Sequence, residues 1–157
     1  MTFRVGIGVD AHALEEGVPL VLGGVPIEHH AGLAGHSDGD VLAHALIDAL
    51  LGAAGLGDIG ALFPSGDERF HGASSLDLLR EAYAQVKAAG WRLVNADVVL
   101  IGEQPRLAPH REEMRQRLTD AVGEGEVNVR ATTTDHLGFT GRGEGLAAHA
   151  VALLEER

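Results

Sequence analysis

Two periods of apolar residues run along the chain, and they predict different elements. A period of three to four residues, typical of an amphipathic helix, marks residues 40–53, 75–90 and 109–122. Ser75 is placed to cap the second of these helices, which ends at Gly90. The Ala-rich residues 144–155 are expected to form a closing helix.

Runs rich in Val and Ile predict strands at residues 3–10, 91–101 and 127–132. Residues 18–27 are typical of a hairpin, with Gly23 and Gly24 at the turn and Pro26 on an edge strand. Residues 55–72 are rich in Gly, Asp and Pro and are expected to form one long functional loop. Residues 138–145 are expected to form a second, glycine-rich loop.

Strands and helices alternate in the second half of the chain, which predicts an α+β fold. We expect a two-layer α/β sandwich, with helices on one face of a mixed sheet. The length of 157 residues fits a single domain over residues 1–157. Because a small sheet covered on one face leaves the other in need of a partner, a homo-oligomer is expected.

Composition narrows the function classes. The chain carries 12 Lys and Arg against 23 Asp and Glu, a formal net charge of −11, which argues against nucleic acid and anionic membranes as partners. It has no cysteine, which excludes disulfides, cysteine zinc sites and thiol catalysis. The first residues lack a signal-peptide core, and His44, Asp48 and Asp58 interrupt the most apolar stretch, residues 41–62. We therefore expect a cytoplasmic protein without a membrane span.

Asp10 and His12 form the first candidate site. Residues two apart on a strand point to the same side, so a carboxylate and an imidazole converge there. With His44 from the following helix they offer three metal ligands and leave a fourth tetrahedral position open, which suits a Lewis acid that holds a phosphate. The alternative is a strand-end turn with two unrelated histidines.

A second polar cluster, residues 36–40, precedes the first predicted helix. Ser37 or Asp38 can cap that helix, and its free N–H groups could instead receive a phosphate beside His36. Asp40 and Asp48 flank His44 at helical spacing and could orient its ring, or they could be ordinary polar positions.

Two loops near the ends of the later strands complete the candidate chemistry. Residues 132–135 bring three hydroxyl groups and a carboxylate, and Arg142 follows among four glycines; together they could bind phosphates and a cation, or simply form a strand end and turns. Residues 103–109 are expected to form a rigid strand-to-helix loop, whose exposed backbone could contact a nucleobase or which could be a connecting loop only.

In order along essentially the whole chain, these clusters resemble the 2-C-methyl-D-erythritol 2,4-cyclodiphosphate synthase family of the non-mevalonate isoprenoid pathway. The matching stretches are residues 8–12, 36–40 and on through His44 to 57–60, 62–64, 131–134 and 137–145. The resemblance implies a ferredoxin-like or chorismate-mutase-like trimer with active sites between subunits. It also implies a substrate, 4-diphosphocytidyl-2-C-methyl-D-erythritol 2-phosphate, that is converted to the cyclodiphosphate and CMP.

The resemblance also implies roles for individual residues. Asp10, His12 and His44 would bind Zn²⁺, and Asp135 would match the carboxylate that holds Mg²⁺ or Mn²⁺ between the two phosphates of the CDP group. His36 and Thr133 would stabilise the transition state. The residues implied in substrate binding are Ser37, Asp58, Gly60, Phe63, Ser65, Asp67, Gly102, Pro105, Arg106, Leu107, Ala108, Ala131, Thr132, Phe139 and Arg142. Arg142 and Glu144 would lie near the three-fold cavity.

The chain departs from the family pattern at two positions. Ser65 stands where members often have Asp after Phe-Pro, and nearby Asp67 is the candidate to replace that carboxylate. Asp135 stands where Glu is frequent, and its side chain is one methylene shorter, so a water could lie between it and the cation. Two other functions would use the same residues: a metal-dependent phosphoester hydrolase, and a trimeric nucleotide-binding module without turnover.

Overall fold

A computed structural model of the chain describes residues 1–35, 37–64 and 66–157. Its strands are β1 (Phe3–Glu16), β2 (Leu20–Leu22), β3 (Val25–Ile27), β4 (Ala31–Leu33), β5 (Trp91–Ile101), β6 (Glu126–Thr132) and β7 (Gly145–Glu156). Its helices are α1 (Val41–Ala54), α2 (Ile59–Leu62), α3 (Ser75–Ala88), α4 (Arg111–Val122) and α5 (Gly138–Gly141). Short 3₁₀ turns cover Glu68–Phe70 and Ala108–His110.

Five strands form one mixed sheet in the order β4-β1-β7-β5-β6. Strand β7 is antiparallel to both neighbours, and β5 and β6 are parallel. Strands β1, β5 and β6 therefore all run in the same direction, so their carboxyl ends meet at one edge of the sheet. Strands β2 and β3 form the separate predicted hairpin. The expected α+β fold with a mixed sheet is confirmed.

The core lies between the sheet and helix α1, whose residues are almost all buried. Helix α1 packs on β1 and β7, α3 packs on α1, and α4 packs on β6. None of the helices that the structure describes covers the opposite face of the sheet. There β1 exposes Phe3, Val5, Ile7 and Val9, each more than half accessible, and β7 exposes Val151. We call these five residues the open face.

The closing helix expected at residues 144–155 is wrong, because this segment is the central strand β7. Its burial alternates with a period of two: Ala148, Ala150, Ala152 and Leu154 are buried, while His149 between them is exposed. The many alanines have high helix propensity, but alternate-residue burial and pairing on both sides favour a strand.

Three other boundaries differ from expectation. Strand β1 continues six residues beyond Asp10, since it pairs with β7 as far as Ala13 and then with the unpredicted strand β4. The expected long loop at residues 55–72 contains α2 and a 3₁₀ turn, and the glycine-rich loop at residues 138–145 contains α5. By contrast, β5 has the predicted bounds, and α4 and β6 begin within two residues of theirs. No helix among the residues that the structure describes is long and apolar enough to cross a membrane.

Tyr83, the only tyrosine of the chain, links three elements at the base of the sheet. Its hydroxyl donates to Glu124 Oε1 at 2.6 Å and accepts from the Leu93 N–H at 2.8 Å. Arg157 Nη2 lies 2.6 Å from the same Glu124 oxygen. Burial and the hydrogen bond to Glu124 together raise the pKa of Tyr83 to about 12.

This raised pKa predicts how the protein responds to alkali. A tyrosine whose pKa is higher in the folded than in the unfolded state stabilises the fold at pH values below about 10, and that contribution is lost as the pH rises through about 12. We expect tyrosinate absorbance of the folded protein to rise only near pH 12, against about 10 in guanidinium. The Tyr83→Phe variant, which has no tyrosine, provides the baseline absorbance. Half-ionisation near pH 10, with native circular dichroism retained, would contradict the burial of this hydroxyl.

Candidate active site

Asp10, His12 and His44 converge as their spacing predicts. Asp10 Oδ2 lies 2.8 Å from His12 Nε2 and 3.1 Å from His44 Nδ1, and the two ring nitrogens are 3.3 Å apart. Among the described residues these three form the only group of carboxylate and imidazole side chains close enough to hold a metal ion. The alternative of a turn with two unrelated histidines is therefore wrong.

The triangle of ligand atoms has the size that a tetrahedral ion requires. An ion about 2.0–2.1 Å from each ligand atom would set neighbouring ligand atoms about 3.3 Å apart, close to the three observed separations. One carboxylate and two imidazoles form a donor set that zinc accepts. The three residues thus fit a divalent cation and leave its remaining position open to a ligand in the adjoining cavity.

Two glycines of β1 allow this convergence. A Cβ atom at Gly6 would collide with the backbone carbonyl of Ala49, and one at Gly8 would collide with that of Ala45. Helix α1 therefore lies directly against β1. Because His44 precedes Ala45 on that helix, its ring reaches the Asp10 carboxylate, which follows Gly8 on the same face of the strand.

The Asp10 carboxylate and the His12 ring shift each other's pKa values. Burial by itself would raise the pKa of Asp10, but hydrogen bonds and charge from His12 and His44 outweigh it and lower the pKa to about 2. The hydrogen bond to Asp10 raises the pKa of His12 despite its partial burial. The cluster therefore presents an ionised carboxylate, which is the form that binds a cation.

The far side of the His44 ring contacts two serines. Ser37 Oγ and Ser75 Oγ each lie 2.9 Å from His44 Nε2. Ser75 was expected to cap the second helix, but Ser74 is the residue before α3, and the Ser75 hydroxyl binds Asp38 instead. The sequence did not mark Ser75 as part of the site, since only the packing of α3 on α1 brings it to His44.

Asp40 and Asp48 do not orient His44, so that interpretation is wrong. Asp40 is fully buried and caps α1 by accepting from the Ala43 N–H at 3.1 Å, a role expected of Ser37 or Asp38. It also accepts from the N–H groups of Gly23 and Gly24 at 2.9 and 2.7 Å, which fixes the hairpin turn to the helix. Burial raises the pKa of Asp40 to about 6. Asp48 accepts from the Ile59 N–H at 2.7 Å and positions α2.

A cavity of about 430 Å³ opens beside the metal ligands. Three residues of the predicted substrate set lie in its wall: Ser37, Gly60 and Phe63. Asp58 caps α2 at the neighbouring surface by accepting from the Ala61 N–H at 2.8 Å. Asp67 is engaged by Arg69, 2.7 Å away, and is not in the cavity wall. Predicted residues His36 and Ser65 lie outside the described residues.

The residues predicted to hold cytidine form a second cavity, of about 190 Å³, at the carboxyl ends of β5 and β6. Every predicted residue of that group is in its wall: Gly102, Pro105, Arg106, Leu107, Ala108, Ala131 and Thr132. Thr133 also lies there. The loop from β5 to α4 and the end of β6 enclose the cavity, and the peptide bond before Pro105 is cis. The convergence of these two stretches, which are distant in sequence, agrees with one binding site.

The segment after β6 is held in an unusual conformation. Asp135 and His136 have positive φ angles of 51° and 67°, which few residues other than glycine adopt. Glu103 supports this turn, since its carboxylate accepts from the Thr134 N–H at 3.3 Å and lies 3.2 Å from His136 Nδ1. Within the described part of the chain, the Asp135 carboxylate has no hydrogen bond or ion pair and is exposed. It is therefore available to a cation.

Phe139 and Arg142 follow on and after α5. Phe139 is 45 % exposed, and Arg142 pairs with Glu144 through a 2.5 Å contact. Arg142 lines a third cavity, of about 350 Å³, together with His30 and Glu103. The structure thus places Phe139 and Arg142 beside the Thr133–Asp135 turn but not in the wall of the metal cavity.

Within one chain the metal ligands and the second cavity are apart. The strand register aligns Asp10 with Ala148, Ala148 with Leu100, and Leu100 with Ala131. Three strand spacings of about 4.8 Å separate β1 from β6, so Asp10 and Ala131 lie about 14 Å apart across the sheet. Both lie at the same level along the strands, Asp10 in the middle of β1 and Ala131 next to the carboxyl end of β6.

Comparisons with known proteins agree with this arrangement. The YgbB family model matches residues 3–155. The 2-C-methyl-D-erythritol 2,4-cyclodiphosphate synthase of Moorella thermoacetica is 57% identical over 156 residues, which cover 98% of this chain and 96% of that protein. The bifunctional IspDF of Campylobacter jejuni superposes with a TM-score of 0.95 at 43% identity, covering 99% of this chain and 43% of that one. A 2C-methyl-D-erythritol-2,4-cyclodiphosphate synthase in a CDP-bound form superposes with a TM-score of 0.88 at 42% identity, covering 97% of this chain and 100% of that one.

Proposed function

Because the chain belongs to the YgbB family, we propose that it acts as a single-domain, cytoplasmic 2-C-methyl-D-erythritol 2,4-cyclodiphosphate synthase. The proposed substrate is 4-diphosphocytidyl-2-C-methyl-D-erythritol 2-phosphate, and the products are the cyclodiphosphate and CMP. The observation that carries the proposal is the Asp10, His12 and His44 triangle, with ligand-atom separations of 2.8–3.3 Å, at the mouth of a cavity.

The reaction is an intramolecular displacement at phosphorus. An oxygen of the 2-phosphate forms a bond to the β-phosphorus, the bond from that phosphorus to the oxygen of the α-phosphate breaks, and CMP leaves with the electron pair. No water enters, so the enzyme is a phosphorus–oxygen lyase. The two reacting groups are anions that repel each other, so alignment and charge neutralisation provide the catalysis.

The residues present fit one divalent cation, and a second cation is proposed at Asp135. Asp10, His12 and His44 would hold Zn²⁺, and the exposed Asp135 carboxylate would hold Mg²⁺ or Mn²⁺ on the diphosphate, directly or through water. When bound, these cations supply Lewis-acid neutralisation of the phosphate charge.

The protein groups complete the site around the phosphates. The Thr133 hydroxyl accepts from the Asp135 N–H at 3.3 Å, so its own hydrogen remains to be donated to a phosphate oxygen as charge develops. His36 is proposed to act with it. Ser37, Asp58, Gly60 and Phe63, with Ser65 and Asp67, would bind the methylerythritol phosphate. The second cavity would hold cytidine, and Phe139 and Arg142 would close the phosphate end.

A homotrimer would join these parts into one site. On the open face Val5 and Ile7 are 69 % and 65 % exposed to solvent. A second copy of the chain that covered them would remove this apolar surface from water, which stabilises the assembly. The metal ligands and the second cavity lie about 14 Å apart in one chain. A neighbouring copy could bring its second cavity to the metal ligands of the first, so each site would be shared between subunits. Arg142 and Glu144 would then lie near the three-fold axis.

Oxygen isotopes distinguish this reaction from a hydrolase that uses the same ligands. We expect turnover in ¹⁸O-labelled water to give CMP and a cyclic product that both lack the label, since no water is added. A hydrolase would place one ¹⁸O atom in a phosphate product, and a nucleotide-binding module would release no CMP. Mass spectrometry of the products decides among the three, and label in either product would contradict the proposal.

A further inference from the structure

We propose that Ser75 and Asp38 are positioning residues for His44, which they hold in the tautomer and ring orientation that presents Nδ1 to the metal. The inference rests on the metal site of the proposed function. It assigns a role to two residues that are not themselves metal ligands. Ser75 is the first residue of α3, and Asp38 lies in the loop before α1.

Ser75 is held in place on both of its polar groups. It is fully buried, with an exposed fraction of 0 %. Its backbone N–H donates to Asp38 Oδ2 at 2.9 Å, and its hydroxyl donates to Asp38 Oδ1. Asp38 also accepts from the Asp40 N–H at 3.1 Å, so the carboxylate is fixed between the starts of two helices. The position of the Ser75 oxygen is therefore set by the fold.

The direction of these hydrogen bonds determines the tautomer of His44. A carboxylate oxygen can only accept, so the single hydrogen of the Ser75 hydroxyl is used on Asp38. What the hydroxyl oxygen offers to His44 Nε2, 2.9 Å away, is a lone pair. Nε2 must then carry a ring hydrogen, so Nδ1, which is 3.1 Å from Asp10 Oδ2, is the nitrogen that would offer its lone pair when a cation replaces the hydrogen bond to Asp10.

Ser37 has a different part in the same cluster. Its Oγ is also 2.9 Å from His44 Nε2, and it is 3.4 Å from Ser75 Oγ. Unlike Ser75, Ser37 lies in the wall of the metal cavity. With Ser75 already anchored to Asp38, the Ser37 hydroxyl does not need to fix the ring. Its hydrogen remains available to a ligand in the cavity.

The test compares Ser75→Ala with Ser74→Ala. Ser74 is the adjacent serine, exposed and without a side-chain capping bond, so its loss should leave the site unchanged. Loss of a hydrogen-bond partner behind a metal-ligating histidine typically lowers metal affinity about 10–100-fold. We expect this loss of zinc affinity in Ser75→Ala, measured by chelator competition, with retention in Ser74→Ala and recovery in Ser75→Thr. Asp38→Asn keeps the packing and weakens the hydrogen bonds to Ser75, so its zinc affinity should lie between those of Ser75→Ala and the unsubstituted protein.

A second readout does not depend on zinc. In the metal-free, ¹⁵N-labelled protein at pH 8, we expect His44 to show a protected Nε2-bound hydrogen, and we expect Ser75→Ala to lose that protection. Unchanged zinc affinity and an unchanged His44 signal in Ser75→Ala would overturn the proposal. If the unsubstituted protein bound no zinc, the metal assignment would fail, and the His44 signal alone would still decide the role of Ser75.

Discussion

His44→Ala should bind zinc far more weakly than the unsubstituted protein and should lose at least about 1,000-fold in kcat, because charge neutralisation by a bound cation contributes several kcal/mol to such a transition state. The substitution removes one of three ligand atoms and leaves Asp10 and His12, 2.8 Å apart, as an ion pair. Metal content after dialysis and CMP release measure the two effects.

A matched histidine substitution separates this effect from general damage. His71 is exposed and is not in the wall of the metal cavity, so His71→Ala should keep its zinc and most of its turnover. His44 is 7 % exposed, and its removal leaves a small space beside Ser75 that circular dichroism and thermal unfolding would monitor. A folded His44→Ala protein with full activity after zinc removal would refute the role of this cluster.

Ile7→Glu should dissociate the proposed homotrimer and abolish turnover together. Ile7 lies between Val5 and Val9 on the open face, and a carboxylate there would have to be buried without a partner if a second copy covered the face. The proposed site requires two chains, so monomers should retain metal binding and lose at least about 100-fold in activity, the scale on which misplaced reactants reduce rates. Analytical ultracentrifugation and CMP release measure the two quantities.

The control places the same charge elsewhere. Ala84 is exposed on α3, away from the open face, so Ala84→Glu should stay oligomeric and active. An Ile7→Glu protein that is monomeric and fully active would show that one chain forms a complete site. A monomeric and active unsubstituted protein would contradict the site shared between subunits.

The metal cluster could be predicted because local periodicity places it. Asp10 and His12 are two apart on one strand, and this spacing directs them to the same side whatever the rest of the fold. His44 lies one turn into a helix whose N-terminal cap is polar and whose core face is apolar. The second cavity could be predicted only from resemblance, since its two stretches are joined by the parallel pairing of β5 and β6.

The parts that sequence could not predict depend on contacts between distant elements. Ser75 reaches His44 across 31 positions through the packing of α3 on α1. Asp40 caps α1 as a local rule allows, but its bonds to Gly23 and Gly24 depend on where the hairpin lies. The sequence of β7 predicts a helix because alanine is compatible with both states, and its alternating burial depends on pairing with β1 and β5.

Phosphorus NMR of the purified protein with 4-diphosphocytidyl-2-C-methyl-D-erythritol 2-phosphate tests the central claim most directly. The spectra would be recorded with zinc and magnesium, and again after chelation. We expect the signals of the substrate to be replaced by those of a cyclic diphosphate and CMP, and we expect chelation to stop the conversion. Unchanged substrate in the presence of both metals, or linear phosphate products, would contradict a metal-assisted cyclisation at Asp10, His12 and His44.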